Sequence, residues 1–391
     1  MSSPAARYLP PDGQLPKKIR QVGAPLGVII ALGTLTGLVV IVLTASNPIG
    51  AAIGFTLASV AMTVVVLAYL WLDRWEPEPP RLLVLAFLWG ASVAIVVSIL
   101  LELYVGSMLA TGNEAMDNFV STGIGAPIIE EAAKGLFLLI MMTGRRRNEL
   151  NSLTDCLVYA GLTAAGFAWL ENIAYIAGGG SLGESLLTAG MRLVMGPFAH
   201  PLFTTMTGIG VYFALNRRGI AAKAGCILLG YAAAVVMHAL WNGSALVGVE
   251  AYFLLYLFWM VPVFGLVIWL AVTSVRREQR IVAAKLPNMV TAGLVTANEA
   301  TWLGSIRTRK LAIRAATQHS GRPAGKGVKS FAAAVVELAF VRDRIDRGFG
   351  DERVTALLNE ETQWLRSARA VTPALQTLAN YQVPAAPGRR G

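Results

Sequence analysis

Residues 82–101 read LLVLAFLWGASVAIVVSILL, twenty positions without a charge. A helix needs about 20 apolar residues to cross the hydrocarbon core of a bilayer. Comparable runs recur along the chain and predict spans at about 24–45, 48–72, 82–107, 119–143, 152–177, 192–215, 223–247 and 251–275. The runs are continuous and do not alternate at period two, so they read as helices and not as barrel strands. Several are rich in Gly and Ala, as packed membrane helices are. Composition agrees: 55% of the 391 residues are hydrophobic and 14% are charged, against about a quarter charged in soluble domains. The expected fold is all-α, a polytopic membrane helix bundle of about eight spans with a small helical C-terminal domain. The first run is longer than a signal-peptide core and has no small-x-small cleavage site after it, so a retained anchor helix is expected.

Orientation follows from the basic residues near the span ends. Lys17, Lys18 and Arg20 precede the first span, and Arg74 and Arg81 flank the second loop. Arg145, Arg146 and Arg147 follow the fourth span, Arg217, Arg218 and Lys223 the sixth, and Arg276, Arg277 and Arg280 the eighth. With eight spans all of these groups fall on one side. The opposite loops carry Glu114, Asp117, Glu184 and Glu250, and Arg192 is the exception there. Both termini are therefore expected in the cytoplasm of a multi-pass protein of the bacterial cell membrane. From Arg276 onward there are 19 basic and 9 acidic residues, so the net charge of +10 resides in the tail. Such a tail is attracted to anionic lipid headgroups. Nothing resembles a nucleic-acid motif, and no nucleic-acid partner is expected. Cys156 and Cys226 lie near cytoplasmic span ends and read as packing residues.

Three segments follow: a Pro-rich irregular arm at 1–23, a membrane domain at 24–275 and a basic helical tail domain at 276–391. Trp75, in the proline-rich second loop, is expected at a membrane interface. In the tail, Phe331, Val335, Leu338 and Ala339 share a helical face and Gly348 to Gly350 interrupt the pattern. Val354, Leu357, Leu358, Trp364 and Leu365 resume it, as in an αα-hairpin. Residues 293–316 read as a looser helix and 318–327 as a linker.

Ionisable groups inside spans are costly and usually mark function. The fourth span holds Glu130, Glu131 and Lys134, where i,i+4 and i,i+3 spacings let both carboxylates face the lysine. Adjacent carboxylates in a low dielectric do not both ionise readily, which suits a general acid or base. The fifth span holds Phe167 and Glu171 one turn apart, the sixth His200, and the seventh His238 with Asn242. Counted at 1.5 Å per residue, all four sites lie about 10–17 Å below the outer surface. Taken singly, the Glu–Lys group reads equally as a neutralised structural pair, and each histidine as a helix–helix hydrogen bond. Their agreement in depth points to one shared polar cavity.

These residues resemble the PrsW-like family of intramembrane proteases, itself distantly similar to the prenyl-protein and bacteriocin-processing membrane proteases. The matching pieces are Glu130-Glu131-x-x-Lys134, Phe167-x-x-x-Glu171, His200 and His238-x-x-x-Asn242, in that order. The resemblance covers about residues 24–275 and leaves the tail outside it. It implies hydrolysis of peptide bonds in membrane-anchored, single-span proteins. By resemblance, Glu131 or Glu130 acts as the base, Glu171 and His200 hold or share the proton of the attacking water, and His238 and Asn242 donate to the oxyanion. Lys134 tunes the carboxylates. No cofactor is then required. His200, His238 and Glu171 also form a set suited to catalytic zinc, although no H-E-x-x-H motif is present. Two other classes fit buried charges: a proton- or ion-coupled transporter, which usually carries an internal repeat, and a proteolytically inactive membrane scaffold.

Overall fold

The computed structural model describes residues 26–383, and no strand occurs among them. The arm expected at 1–23 and the end of the chain from 384 lie outside the described residues. The chain divides into two compact units at Ser274 and Val275.

In the first unit, α1 (Leu26–Ser46) and α2 (Pro48–Leu72) meet at Asn47. Asn47 Oδ1 accepts from the Gly50 amide at 3.0 Å, and Pro48 takes the first helical position, where no N–H is needed. Asn47 Nδ2 also donates to Ala177 O at 2.6 Å, tying this corner to the end of α7 (Leu153–Ala177). Pro80 opens α3 (Pro80–Trp89), and a wide π-type turn at Gly90–Ala94 carries it into α4 (Ile95–Leu109). The short α5 (Glu114–Asn118) leads through a second wide turn, Phe119–Gly125, into α6 (Ala126–Met141). A capping box of Ser152 and Asp155 starts α7. Then come α8 (Leu182–Ala189), a wide turn at Gly190–Met195, α9 (Ala199–Leu215) and α10 (Ile220–Val247). The series ends with α11 (Val249–Leu255), a wide turn at Tyr256–Met260 and the first part of α12 (Val261–Thr291), inside which the division between the units falls.

Among the described residues, six helical segments are long and apolar enough to cross a membrane: Leu26–Ser46, Pro48–Leu72, Pro80–Leu109, Leu153–Ala177, Ile220–Val247 and Val249–Thr291. The other two expected spans are also helical, but one holds three charged side chains in α6 and the other breaks at Gly196 before α9. The two that fall short on apolarity or continuity are thus among those that carry the polar groups. Leu100, Leu103, Phe258 and Ile268 are exposed, as a lipid-facing surface requires.

α7 is buried almost all round, with α2, α3 and α9 packed on it. Glycine permits the close crossings. A Cβ on Gly90 would lie 1.8 Å from Thr163 O, and one on Gly166 1.9 Å from Phe87 O. We expect Gly90→Ala to cost about 1–3 kcal/mol by forcing these backbones apart, seen as a lowered unfolding temperature in detergent. Cys156 and Cys226 are both free thiols. Trp75 is buried, at 3% exposure, and does not stand at an interface. The loop folds inward there, with Asp73 Oδ2 accepting from the Glu78 amide at 2.9 Å and Glu78 accepting from Tyr159 OH at 2.7 Å.

The second unit contains α13 (Ala297–Leu303), α14 (Ile306–Arg344), α15 (Glu352–Ala370) and α16 (Ala374–Thr377). α14 and α15 pack as a hairpin, with Phe331, Val335, Leu338, Val354 and Leu365 buried. Gly348, at φ 82°, makes the bend between them. Residues 318–327 are not a linker: they are helical on both sides of a kink at Gly321, where φ is 83°. Arg369 pairs with Glu299, whose carboxylate also caps α13 through the Thr296 amide.

Candidate active site

α6, α7, α9 and α10 bring six of the seven sequence-predicted side chains into one buried cluster. Lys134 is its centre. Its Nζ lies 3.0 Å from Glu130 Oε2, 2.9 Å from Glu131 Oε1 and 3.1 Å from His200 Nδ1. The Phe167 ring sits under the same ammonium, 3.9 Å from Nζ. Helical spacing on α6 explains the two carboxylate contacts. The histidine arrives from α9, which starts just beyond the break at Gly196.

The two carboxylates differ. Glu131 accepts from Lys134, from Thr204 Oγ1 at 2.7 Å and from His238 Nδ1 at 3.2 Å, and its side chain is fully buried. Glu130 has its Oε2 on Lys134, and its side chain retains 8% exposure. No hydrogen bond engages Glu130 Oε1 among the described residues. Glu131 is therefore held in place, while Glu130 keeps acceptor capacity.

Each histidine is oriented by a carboxylate on its other nitrogen. His200 Nε2 is 2.7 Å from Glu171 Oε2, and His238 Nδ1 is 3.2 Å from Glu131 Oε1. Donation to those carboxylates fixes the neutral tautomers and leaves lone pairs on His200 Nδ1 and His238 Nε2. These atoms stand 4.0 Å and 3.9 Å from Glu130 Oε2. The rings meet edge to face at 5.0 Å, and Phe203 stacks on His238 at 4.8 Å.

Glu130, His200 and His238 each offer one ligand atom within 4.8 Å of the others. The carboxylate that joins the histidines is thus Glu130, and not Glu171 as the sequence suggested. Glu171 is already committed to His200 and to Arg192 Nη2 at 2.5 Å. Two histidines and one carboxylate, with carboxylates behind both imidazoles, suit a divalent cation. Lys134 Nζ holds two of the same residues, so it would have to give way to such an ion.

Asn242 is the predicted residue that bonds elsewhere. Its Nδ2 donates to Thr122 O at 3.0 Å, in the wide turn before α6. Sequence reasoning missed Thr204 and Arg192 as site residues. Thr204 lies one turn beyond His200 and was discoverable by that spacing. Arg192 was visible only as the exception to the charge pattern, yet its Nε donates to Asn172 Oδ1 at 2.7 Å and its guanidinium covers Tyr175.

Comparison with known proteins finds similarity over the region that contains this cluster. Residues 78–268 match the family described as PrsW family intramembrane metalloprotease. That match covers just under half of the chain. The curated Protease PrsW of Geobacillus kaustophilus (strain HTA426) is 30% identical over 157 residues, which is 40% of this chain and 64% of that relative. The match therefore spans just under two thirds of the relative's length. No solved structure matches. Within the matched region lie all of Glu130, Glu131, Lys134, Glu171, Arg192, His200, His238 and Asn242. α1, α2 and the helices from α13 onward lie outside it.

Proposed function

We propose that this protein is an intramembrane endopeptidase that hydrolyses peptide bonds of membrane-anchored, single-span proteins, with Glu130 activating the attacking water. The observation that carries this reading is the unequal pair on α6, one carboxylate saturated with hydrogen bonds and its neighbour with an open oxygen. Glu130 Oε1 accepts the proton of the water and later returns it to the leaving amine. Glu131, Thr204 and Lys134 hold that carboxylate's neighbourhood rigid. Lys134 supplies positive charge where negative charge develops on the tetrahedral intermediate. Glu171 steers His200, and Arg192 anchors Glu171.

A second reading rests on the two imidazole lone pairs that face Glu130. Glu130, His200 and His238 would hold a divalent cation, which when bound lowers the pKa of its water and polarises a carbonyl. Removing metal with a chelator and restoring activity with zinc would favour this version, and chelator-resistant turnover would favour the metal-free one.

Arg192 is read as a positioning residue. Arg192→Leu is expected to lower kcat about tenfold to a hundredfold with little change in KM, and Arg192→Lys to recover part of the loss, since charge returns without the fork. Steady-state kinetics on purified protein measure this.

The orientation remains part of the proposal: the basic residues at span ends support cytoplasmic termini, and the basic helical domain at 276–391 then faces anionic headgroups. The membrane domain at 24–275 carries the chemistry.

The test compares new N-termini among membrane proteins in cells making the wild type or Glu130→Gln. Termini within or beside spans that vanish in the variant are the expected result and identify the substrate. An unchanged set of termini, with the variant folded and at normal level, would sink the reading and favour a transporter or scaffold.

A further inference from the structure

Glu102 lies on α4, inside an otherwise apolar span, and belongs to no part of the cluster described above. Its Oε1 is buried and has no hydrogen-bond partner among the described residues. A buried oxygen left unmatched is costly, and acids at membrane depth mark function. Beside it, α4 and the segment leading into α6 leave a groove of about 290 Å³. Val105, Leu109, Val120, Ile124 and Ile128 wall the groove, and Glu102 is one of its few polar residues. Its lining includes Ile128 and Ile129, the two residues of α6 directly before Glu130. Glu102 is also close enough to feel the charges of Glu171 and Lys134.

A substrate entering from the bilayer presents a chemical difficulty that this groove answers. A helical segment keeps its peptide carbonyls in internal hydrogen bonds, and hydrolysis needs one exposed. Unwinding frees N–H groups that find no water in hydrocarbon, and each needs a protein acceptor. Apolar walls with one unmatched carboxylate suit such a strand better than they suit a water path. We infer that this groove receives an unwound strand of the substrate's membrane segment, with Glu102 accepting a backbone N–H from it. The inference rests on the endopeptidase reading and names where its substrate lies.

The test uses the full chain carrying Glu130→Gln, which is expected to be inactive but folded, reconstituted in vesicles with a synthetic single-span peptide. The peptide has about 22 Leu and Ala residues and a central Gly-Ser pair that weakens its helix. A benzophenone amino acid replaces Ile124 in the groove or, as a control, the lipid-facing Ile268 on α12, which is 48% exposed. The expected result is peptide cross-linking from position 124 well above that from 268. Gly106→Trp should abolish the difference by filling the groove; a Cβ at this position meets no atom within 4 Å, so the side chain starts from open space, and thermal unfolding in detergent checks that the variant stays folded. Glu102→Leu should reduce the cross-link about tenfold, the order of loss expected for one hydrogen bond removed in an apolar setting. Glu102→Gln, which keeps an acceptor, should retain most of it. Equal yields at 124 and 268, cross-links to lipid alone, indifference to Gly106→Trp, or equal losses in the Leu and Gln variants would each overturn the inference. Cleavage of the same peptide by the wild type is read separately. Cleavage without cross-linking from 124 discards the groove and spares the endopeptidase, whereas cross-linking without cleavage does the reverse.

Discussion

Glu131→Gln is expected to lose both activity and stability, whereas Glu130→Gln should lose activity alone. The difference follows from what each carboxylate touches. Glu131 accepts from Lys134, Thr204 and His238 and has no exposure. An amide in its place gives up one of those acceptor oxygens, weakens the hold on His238 and leaves Lys134 with one carboxylate fewer. Disrupting a buried ion pair in this way costs about 3–5 kcal/mol. Glu130 makes one strong contact through Oε2, and glutamine preserves an oxygen for it. Its loss is expected to be catalytic, about 10²–10⁴-fold in kcat for removal of a general base, with unfolding close to that of the wild type. Purified proteins, compared by turnover and by thermal unfolding in detergent, check both halves. Equal destabilisation of the two variants would mean that the carboxylates share one structural role.

Lys134→Met should be the most destabilising single change in the cluster. It leaves Glu130 and Glu131 adjacent and buried without their cation, and it strips His200 Nδ1 of its donor. The expected cost is again about 3–5 kcal/mol or more, because the uncompensated charges stay in a low dielectric. Neutralising all three in the variant Glu130→Gln, Glu131→Gln, Lys134→Met should restore much of the stability without restoring turnover. That recovery separates electrostatic from packing effects, since the methionine keeps most of the lysine volume. Bound divalent metal, where added, should also rescue the single variant, because a cation then replaces the ammonium beside the same ligands.

Much of this arrangement was legible in the sequence because α-helical spacing is rigid. Glu130, Glu131 and Lys134 had to share a face, and equal depth in four spans brought Glu171, His200 and His238 to the same level. Spacing within a helix says nothing of what the neighbouring helix offers, and there the reading failed. Asn242 shares a face with His238 but finds Thr122 O before it finds the cluster. The choice of Glu130 over Glu171 as the carboxylate between the histidines was hidden in the same way, since Arg192, in the turn after α8, claims Glu171. Trp75 looked interfacial because aromatic residues near span ends often are, but the Pro-rich loop turns it inward. In the tail, Gly321 and Pro323 suggested a linker, while Phe331 and its neighbours bury enough surface to keep the flanking residues helical. The wide turns left no hydrophobic signature, because one extra residue per turn barely disturbs an apolar run.

Those turns fix rotational phase. An α-helix advances about 100° per residue, so a single inserted residue swings everything after it by more than a quarter of a circle. The turn at Phe119–Gly125 stands immediately before the helix that carries Glu130, Glu131 and Lys134, and the one at Gly190–Met195 before the helix that carries His200. Each works as an index mark, setting which compass direction its downstream charges face. The polar centre is therefore coded partly by residue count: shortening either turn by one would keep every reactive side chain in the protein and aim them at the lipid.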